Sequence, residues 1–253
     1  MNDVLPTGKT TYQETHNGMC IQGISYSEED LNQSAQIVAN ICFDTLGQKD
    51  FDNYILSLSE TGFRPTKAVL TKIKDWQVGE GFAEAYLTAH FSCHFPWPNN
   101  RDLKNPNSSL TGADMVGFHQ GQFAFGEVKT VTKQKKSPPD VTSKKDDGLN
   151  AQLKKLCHDH NLQWVLVQYL FHRVKGSKEY QEACIAYLKD NNNFYVFGVL
   201  VRDVEPTIID WNYLKKHLEV HEQNRVSLVA LYLPPNDGIQ KLHACVSSKE
   251  AKS

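Results

Sequence analysis

Asp114, Glu127 and Lys129 are the three residues whose types and spacing suit hydrolytic chemistry. They lie in two adjacent stretches, LTGADMVGF and FAFGEVKT. A two-residue turn at Gln120–Gly121 sets Asp114 directly opposite Glu127. Side chains two apart on a strand share a face, so all three meet at one end of the hairpin. Val116, Phe118, Phe123 and Phe125 continue that face toward the turn. Ala113, Met115, Gly117, Ala124, Gly126 and Val128 make up the other. A hairpin apolar on both faces belongs inside a sheet. Opposed carboxylates repel, and burying them is costly unless they are paired or bind a metal. A hard divalent cation relieves that repulsion. The lysine can orient an attacking water or offset developing negative charge. Phosphodiester hydrolysis needs these parts.

A bare E-x-K is weak by itself, since about one is expected by chance in a chain of this length. Glu250-Ala251-Lys252 is such a copy, in a polar tail with no strand and no upstream Asp. The 127–129 copy has both.

The elements that must position these residues are read from periodicity. Residues 1–18 look like a loose arm. Residues 27–46 read as a helix, with Leu31, Ala35, Val38 and Ile41 at helical spacing, Ser25 or Ser27 as cap and Gly47 as stop. Helices are expected over 51–58, 66–75 and 79–93. A Pro- and Asn-rich loop follows over 95–110, then the hairpin, roughly 112–118 and 122–130. A lysine-rich loop spans 131–147. Helices follow at 147–159 and 178–189, and VLVQYLF between them reads as helix or strand. Strands at 194–201 and 226–233 flank a helix near 211–221. The chain is thus a mixed α/β protein. It divides into an N-terminal helical region packed on the core (1–75), an α/β core (76–246) and a frayed tail (247–253).

Asp114 in LTGADMVGF followed by Glu127-Val128-Lys129 resembles the PD-(D/E)XK nuclease superfamily. The resemblance implies a restriction-endonuclease-like αβββαβ core and Mg²⁺-dependent cleavage of nucleic acid, with Mn²⁺ able to substitute. It makes Asp114 and Glu127 the metal ligands and Lys129 the catalytic lysine. Ala113 stands where the superfamily often has Pro. A metal-associated Glu on the preceding helix would be Glu80 or Glu84, four apart on one helical face. Gln152 or Lys155 would face the strand from the following helix. A G-E helix, a G-x-D strand, a G-E-x-K strand and a late F-x-V-F-G-V-L-V strand also resemble the nuclease subunit of Hachiman-type anti-phage defence, which works beside a helicase. That likeness implies a DNA-cleaving effector controlled by a helicase or ATPase partner. The rival reading is an inactive nuclease-like fold serving as a DNA-binding or scaffold subunit.

Lys133, Lys135 and Lys136 follow the E-x-K strand and are candidates for phosphate contact, with Gln152 and Lys155. Trp97 in a loop is a candidate for stacking on a base, while Trp76, Trp164 and Trp211 read as core. The net charge of −2 excludes a globally basic polymer binder. Six scattered cysteines, no long apolar run and a polar N-terminus point to a reducing cytoplasm and no membrane. His90, Cys93, His94, Cys157, His158 and His160 have zinc-ligand types, but core cysteines and surface histidines explain them better. No phosphate-binding G-x-x-x-x-G-K-[ST] loop occurs, so any ATP-driven movement belongs to a partner.

Overall fold

The strand FYVFGVLV, apolar along its length, lies at the middle of a six-stranded mixed sheet. The computed structural model describes residues 4–43, 73–96, 112–131, 142–143, 148–221 and 224–250. Within them the chain forms β1 (Lys9–His16), β2 (Met19–Ser25), α1 (Glu28–Cys42), α2 (Asp75–Phe91), β3 (Met115–His119) and β4 (Gln122–Val131). It continues through α3 (Leu149–His158), α4 (His160–Val174), α5 (Lys178–Lys189), β5 (Tyr195–Arg202), α6 (Asn212–His217), β6 (Arg225–Tyr232) and α7 (Gly238–Glu250). The sheet order is β1-β2-β6-β5-β4-β3. The four inner strands are parallel, and an antiparallel hairpin closes each side.

Two helical layers cover the sheet, as buried parallel strands require. Met115, Ala124 and Val128 pack with α1, α2 and α7 on one face. Val116, Phe118, Phe123 and Phe125 pack with α3, α4 and α5 on the other. Among the face assignments made from the sequence, Ala113 departs, joining the second cluster. The 3–4 turn has Gln120 and Gly121 both at positive φ (51° and 71°), the geometry of a two-residue hairpin turn. Its register pairs Met115 with Gly126 and His119 with Gln122. VLVQYLF is helical, within α4. Ser27 caps α1 reciprocally with Asp30, and α1 ends at Phe43, short of Gly47.

Several expectations are corrected. Residues 9–25 form a hairpin in the sheet and not a loose arm or part of a helical region. Its turn is Asn17–Gly18, again with positive φ at both residues (47° and 79°). Its strand β2 pairs with β6, so the sheet runs across the expected boundary at residue 76. The C-terminal end is a helix through residue 250 and not a frayed tail from 247; Ile239, Leu242 and Val246 seat it in the core. The helix expected over 51–58 and most of that over 66–75 lie outside the described residues. Among the described residues, no helix is long and apolar enough to cross a membrane.

A buried polar chain ties the N-terminal hairpin to the late strands. Trp211 donates to the Tyr12 hydroxyl (3.0 Å), which meets the Tyr232 hydroxyl (2.8 Å). Tyr232 in turn reaches Asp210 Oδ2 (2.9 Å), and Asp210 pairs with Arg202. Arg202 and Asp210 are almost fully buried. Removing one member of such a pair leaves an uncompensated charge. Asp210→Ala is therefore expected to cost about 3 kcal/mol or more in urea unfolding. A loss below about 1 kcal/mol would show that the network is not what anchors the hairpin.

Candidate active site

The residues at the base of the β3–β4 hairpin are placed by an inequality of strand length. β3 ends its pairing at Met115–Gly126, whereas β4 runs on to Val131. Beyond Gly126, no strand among the described residues pairs with the side of β4 that would face β3, its open edge. Asp114 covers the first part of it. Its backbone N–H donates to the Gly126 carbonyl (3.0 Å), and its Oδ2 accepts the Val128 N–H (2.8 Å). The carboxylate thus acts as a substitute for the missing strand. Glu127 is 2% exposed, and Lys129 Nζ donates to its Oε1 at 2.9 Å. Asp114, Glu127 and Lys129 thus converge, although Asp114 lies one residue before β3 and meets Gly126 and Val128, rather than standing opposite Glu127 within a strand spanning 112–118.

α2 brings the fourth member. It lies on the opposite face of the sheet, packed on Val128. A Cβ at Gly79 would come within 2.0 Å of Thr130 Oγ1, so only glycine lets the helix backbone rest on that side chain. A glycine inside a helix costs about 1 kcal/mol relative to alanine, and here it permits close approach. The next residue is Glu80, half-buried, whose charge couples to Asp114 and Glu127 around the open edge of β4.

Burial and mutual repulsion dominate the electrostatics. Burial raises Glu127 to about 8, with repulsion from Asp114 adding and Lys129 opposing. Asp114 is raised by burial, while the Val128 N–H and Lys129 pull it back toward the charged form. A hydrogen bond between the two carboxyl groups favours the proton on Glu127 and the charge on Asp114. Glu80 is raised well above the carboxylate range, first by burial, then by Asp114 and Glu127. Glu84 rises to about 8 through burial alone. Of the two helix carboxylates, Glu80 is thus the one that feels Asp114 and Glu127.

The donor chemistry, three oxygen acids that repel one another, fits a hard divalent cation. As positioned, they do not form a closed cage. Among the described residues no three His, Cys, Asp or Glu side chains are gathered as a ligand set. Lys129 instead supplies the positive charge. Of the helix candidates, Gln152 is half-buried on the first turn of α3, with its Oε1 shielded and unpartnered; Asn150 Oδ1 is in the same state. Leu153, the next residue, fills the space over Gly198, which pairs with Glu127, so this turn faces the right strand. Lys155 is exposed one turn on, at the elbow between α3 and α4, and is not brought to the carboxylates. Lys133, Lys135, Lys136 and Trp97 lie outside the described residues.

The zinc-type residues have separate partners. His90 meets the Pro6 carbonyl, His94 pairs with Glu179 at 2.7 Å, His158 meets the Glu219 carbonyl and His160 meets Gln163. Cys93 and Cys157 are core residues. Trp211 is core as expected, but Trp164 is 43% exposed, a correction taken up below. Gly79 and Thr130 are the positions that sequence reasoning missed. A glycine in a helical pattern beside an acidic residue is the signal that marks them.

Comparison of the chain with family models, with curated proteins and with solved structures returns no match.

Gly79→Ala should destabilise the protein by about 1–3 kcal/mol through overpacking on Thr130. Thr130→Ala should recover part of that loss, giving a coupling of about 0.5 kcal/mol or more in a thermal double-mutant cycle. Additive effects would mean that the two do not touch. A second expectation concerns pH. Glu127 binds its proton more tightly folded than unfolded, so its contribution to stability is full below about 4.5 and is lost as pH rises through about 8. In chelator, Glu127→Gln should therefore be more stable than the parent at pH 8, with the gap closing toward pH 5, as read by urea unfolding. A gap that widens toward pH 5 contradicts this assignment.

Proposed function

We propose that this protein is a divalent-cation-dependent nuclease that hydrolyses phosphodiester bonds in DNA, built on a PD-(D/E)XK-type core. The observation that carries the reading is the convergence of Asp114, Glu127 and Lys129 at the open edge of β4, with Glu80 coupled to them. The element order α2-β3-β4-α3-α4-α5-β5, with β5 parallel to β4, supports it, although three helices stand between β4 and β5 where the resemblance expects one. The superfamily's further antiparallel strand has as its counterpart here, among the described residues, a single bridge between His94 and Phe118.

Asp114 and Glu127, joined by Glu80, are the residues that would hold Mg²⁺ or Mn²⁺. The ion, when bound, supplies Lewis acidity and lowers the pKa of water. Asp114 keeps its carboxylate aimed by accepting the Val128 N–H. Lys129, which donates to Glu127 here, would orient the attacking water and offset charge on the phosphate oxygens. Glu127 would have to be deprotonated to act as a ligand. Gln152 is placed to contact the strand beside the scissile phosphate. Among the described residues no base-reading element is identified, and on this reading cleavage is governed by nucleic-acid structure or by a partner. The Hachiman-like motifs and the missing phosphate-binding loop support a bacterial anti-phage effector controlled by a helicase. A second reading is an inactive DNA-binding or scaffold subunit. The Lys129–Glu127 pair and the absence of a gathered ligand set among the described residues favour it.

Plasmid and single-stranded DNA incubated with Mg²⁺ or Mn²⁺ separate the two. The parent should cleave, and Glu127→Ala and Lys129→Ala should each lose about 100-fold or more. Cleavage surviving both substitutions rules out this site, and binding without cleavage supports the scaffold reading. Control by a helicase fails if the isolated protein degrades DNA as fast as the reconstituted complex.

A further inference from the structure

Trp164 is 43% exposed, unlike the fully buried Trp211, and it stands on α4 where that helix meets a surface cleft. The cleft has a volume of about 780 Å³ and lies between the start of α4 and the end of α5. Trp164, Leu188, Lys189 and Asn191 line it, and Leu188 is 67% exposed. Such exposed apolar surface beside a cation and an amide suits a planar ligand carrying polar edges and a nearby negative charge.

A second concavity adjoins it at the α3–α4 elbow. Lys154 and Lys155 line this one, and it shares His160 and Asn161 with the first. Two carboxylates, Asp159 and Asp190, also line this surface, against three lysines, Lys154, Lys155 and Lys189. Asp159 Oδ1 accepts the Leu162 N–H at 3.0 Å as the cap of α4, and Asp190 Oδ1 accepts the Asn192 N–H at 3.0 Å. Lysines followed by an aromatic ring form the pattern on which single strands run, phosphates on cations and a base on the ring.

The direction of α3 links this surface to the carboxylates. Near its start, Leu153 sits over Gly198, the partner of Glu127. At its end, the Cys157 carbonyl accepts from Asn224, just before β6 begins. α3 therefore runs from the middle of β5, beside Glu127, toward the end of the sheet at which β6 begins, with Lys154 and Lys155 near its end and Trp164 on the helix that follows.

We propose that the α3–α4 elbow and the Trp164 cleft bind single-stranded nucleic acid, with Lys154 and Lys155 on the phosphates and a base stacked on Trp164. This rests on the reading above that the protein acts on nucleic acid. It assigns the strandedness that the carboxylate site does not, because a paired base cannot offer its face to an isolated ring.

The test is equilibrium binding of a labelled oligothymidine of about 12 nucleotides to full-length Glu127→Ala in chelator, followed by anisotropy. Trp164→Ala should weaken binding about fivefold or more, and Trp164→Phe should stay within about twofold of the parent, since stacking needs only a ring. Lys154→Ala with Lys155→Ala should lower the salt slope by about 1.4, the value for two phosphate contacts on a single strand. Duplex binding should ignore Trp164→Ala. Unchanged affinity in Trp164→Ala, equal losses for duplex and single strand, or no oligothymidine binding at all each overturn the proposal. In those cases the nuclease reading is judged separately by cleavage. Stacking on Trp164 in a protein that cleaves nothing keeps this surface and removes the nuclease.

Discussion

Beyond Gly126, β4 carries its backbone donors and acceptors along an edge that β3 does not reach, next to acids that repel one another. The bond from Val128 N–H to Asp114 meets part of that need and fixes a carboxylate beside Glu127. An unpaired buried N–H and an unpaired buried carboxylate are each costly, and setting one against the other removes both costs. The remaining acids are held by Lys129 and by retained protons. The cluster is stable as folded yet electrostatically unsatisfied, and a cation-binding or proton-handling site has that character.

The rest of the fold keeps this edge in place. Four parallel strands buried on both faces make a rigid floor, and each helical layer makes a close contact with a strand residue beside the cluster. α2 reaches it through the missing side chain of Gly79, and α3 through Leu153 over Gly198. Both are glycine-mediated approaches in which backbone or side chain occupies space that a Cβ would fill. On the far side, the hydroxyl chain from Tyr12 to Tyr232 joins residues 220 positions apart and locks the N-terminal hairpin against β6. The acids thus sit at one margin of the sheet, while the chain's first strands complete the other.

Legibility in the sequence varied with how local the determining physics is. The β3–β4 hairpin was readable because a two-residue turn sets the register, and alternation then assigns faces. β5 and β6 were readable as continuous apolar runs. The β1–β2 hairpin was not read, although Asn17–Gly18 is a strong turn signal, because the edge strand KTTYQETH is polar and largely exposed. α7 was missed because its buried residues, Ile239, Leu242 and Val246, are few among polar neighbours. Trp164 was assigned to the core by residue type, whereas its exposure depends on where α5 ends.

Asp114 near Glu127, with Lys129 beside it, is legible in the sequence, since pairing across a two-residue turn brings these positions to one end of the hairpin. That Asp114 stands just outside β3 and bonds Gly126 and Val128 is decided by the tertiary structure. That Glu80 and not Glu84 feels Asp114 and Glu127 does not follow from the sequence, because both share a helical face and the packing of α2 on β4 distinguishes them. The pairing of β2 with β6 and the exposure of Trp164 belong to the same class. They depend on contacts between segments far apart in the chain, and no local pattern encodes those distances.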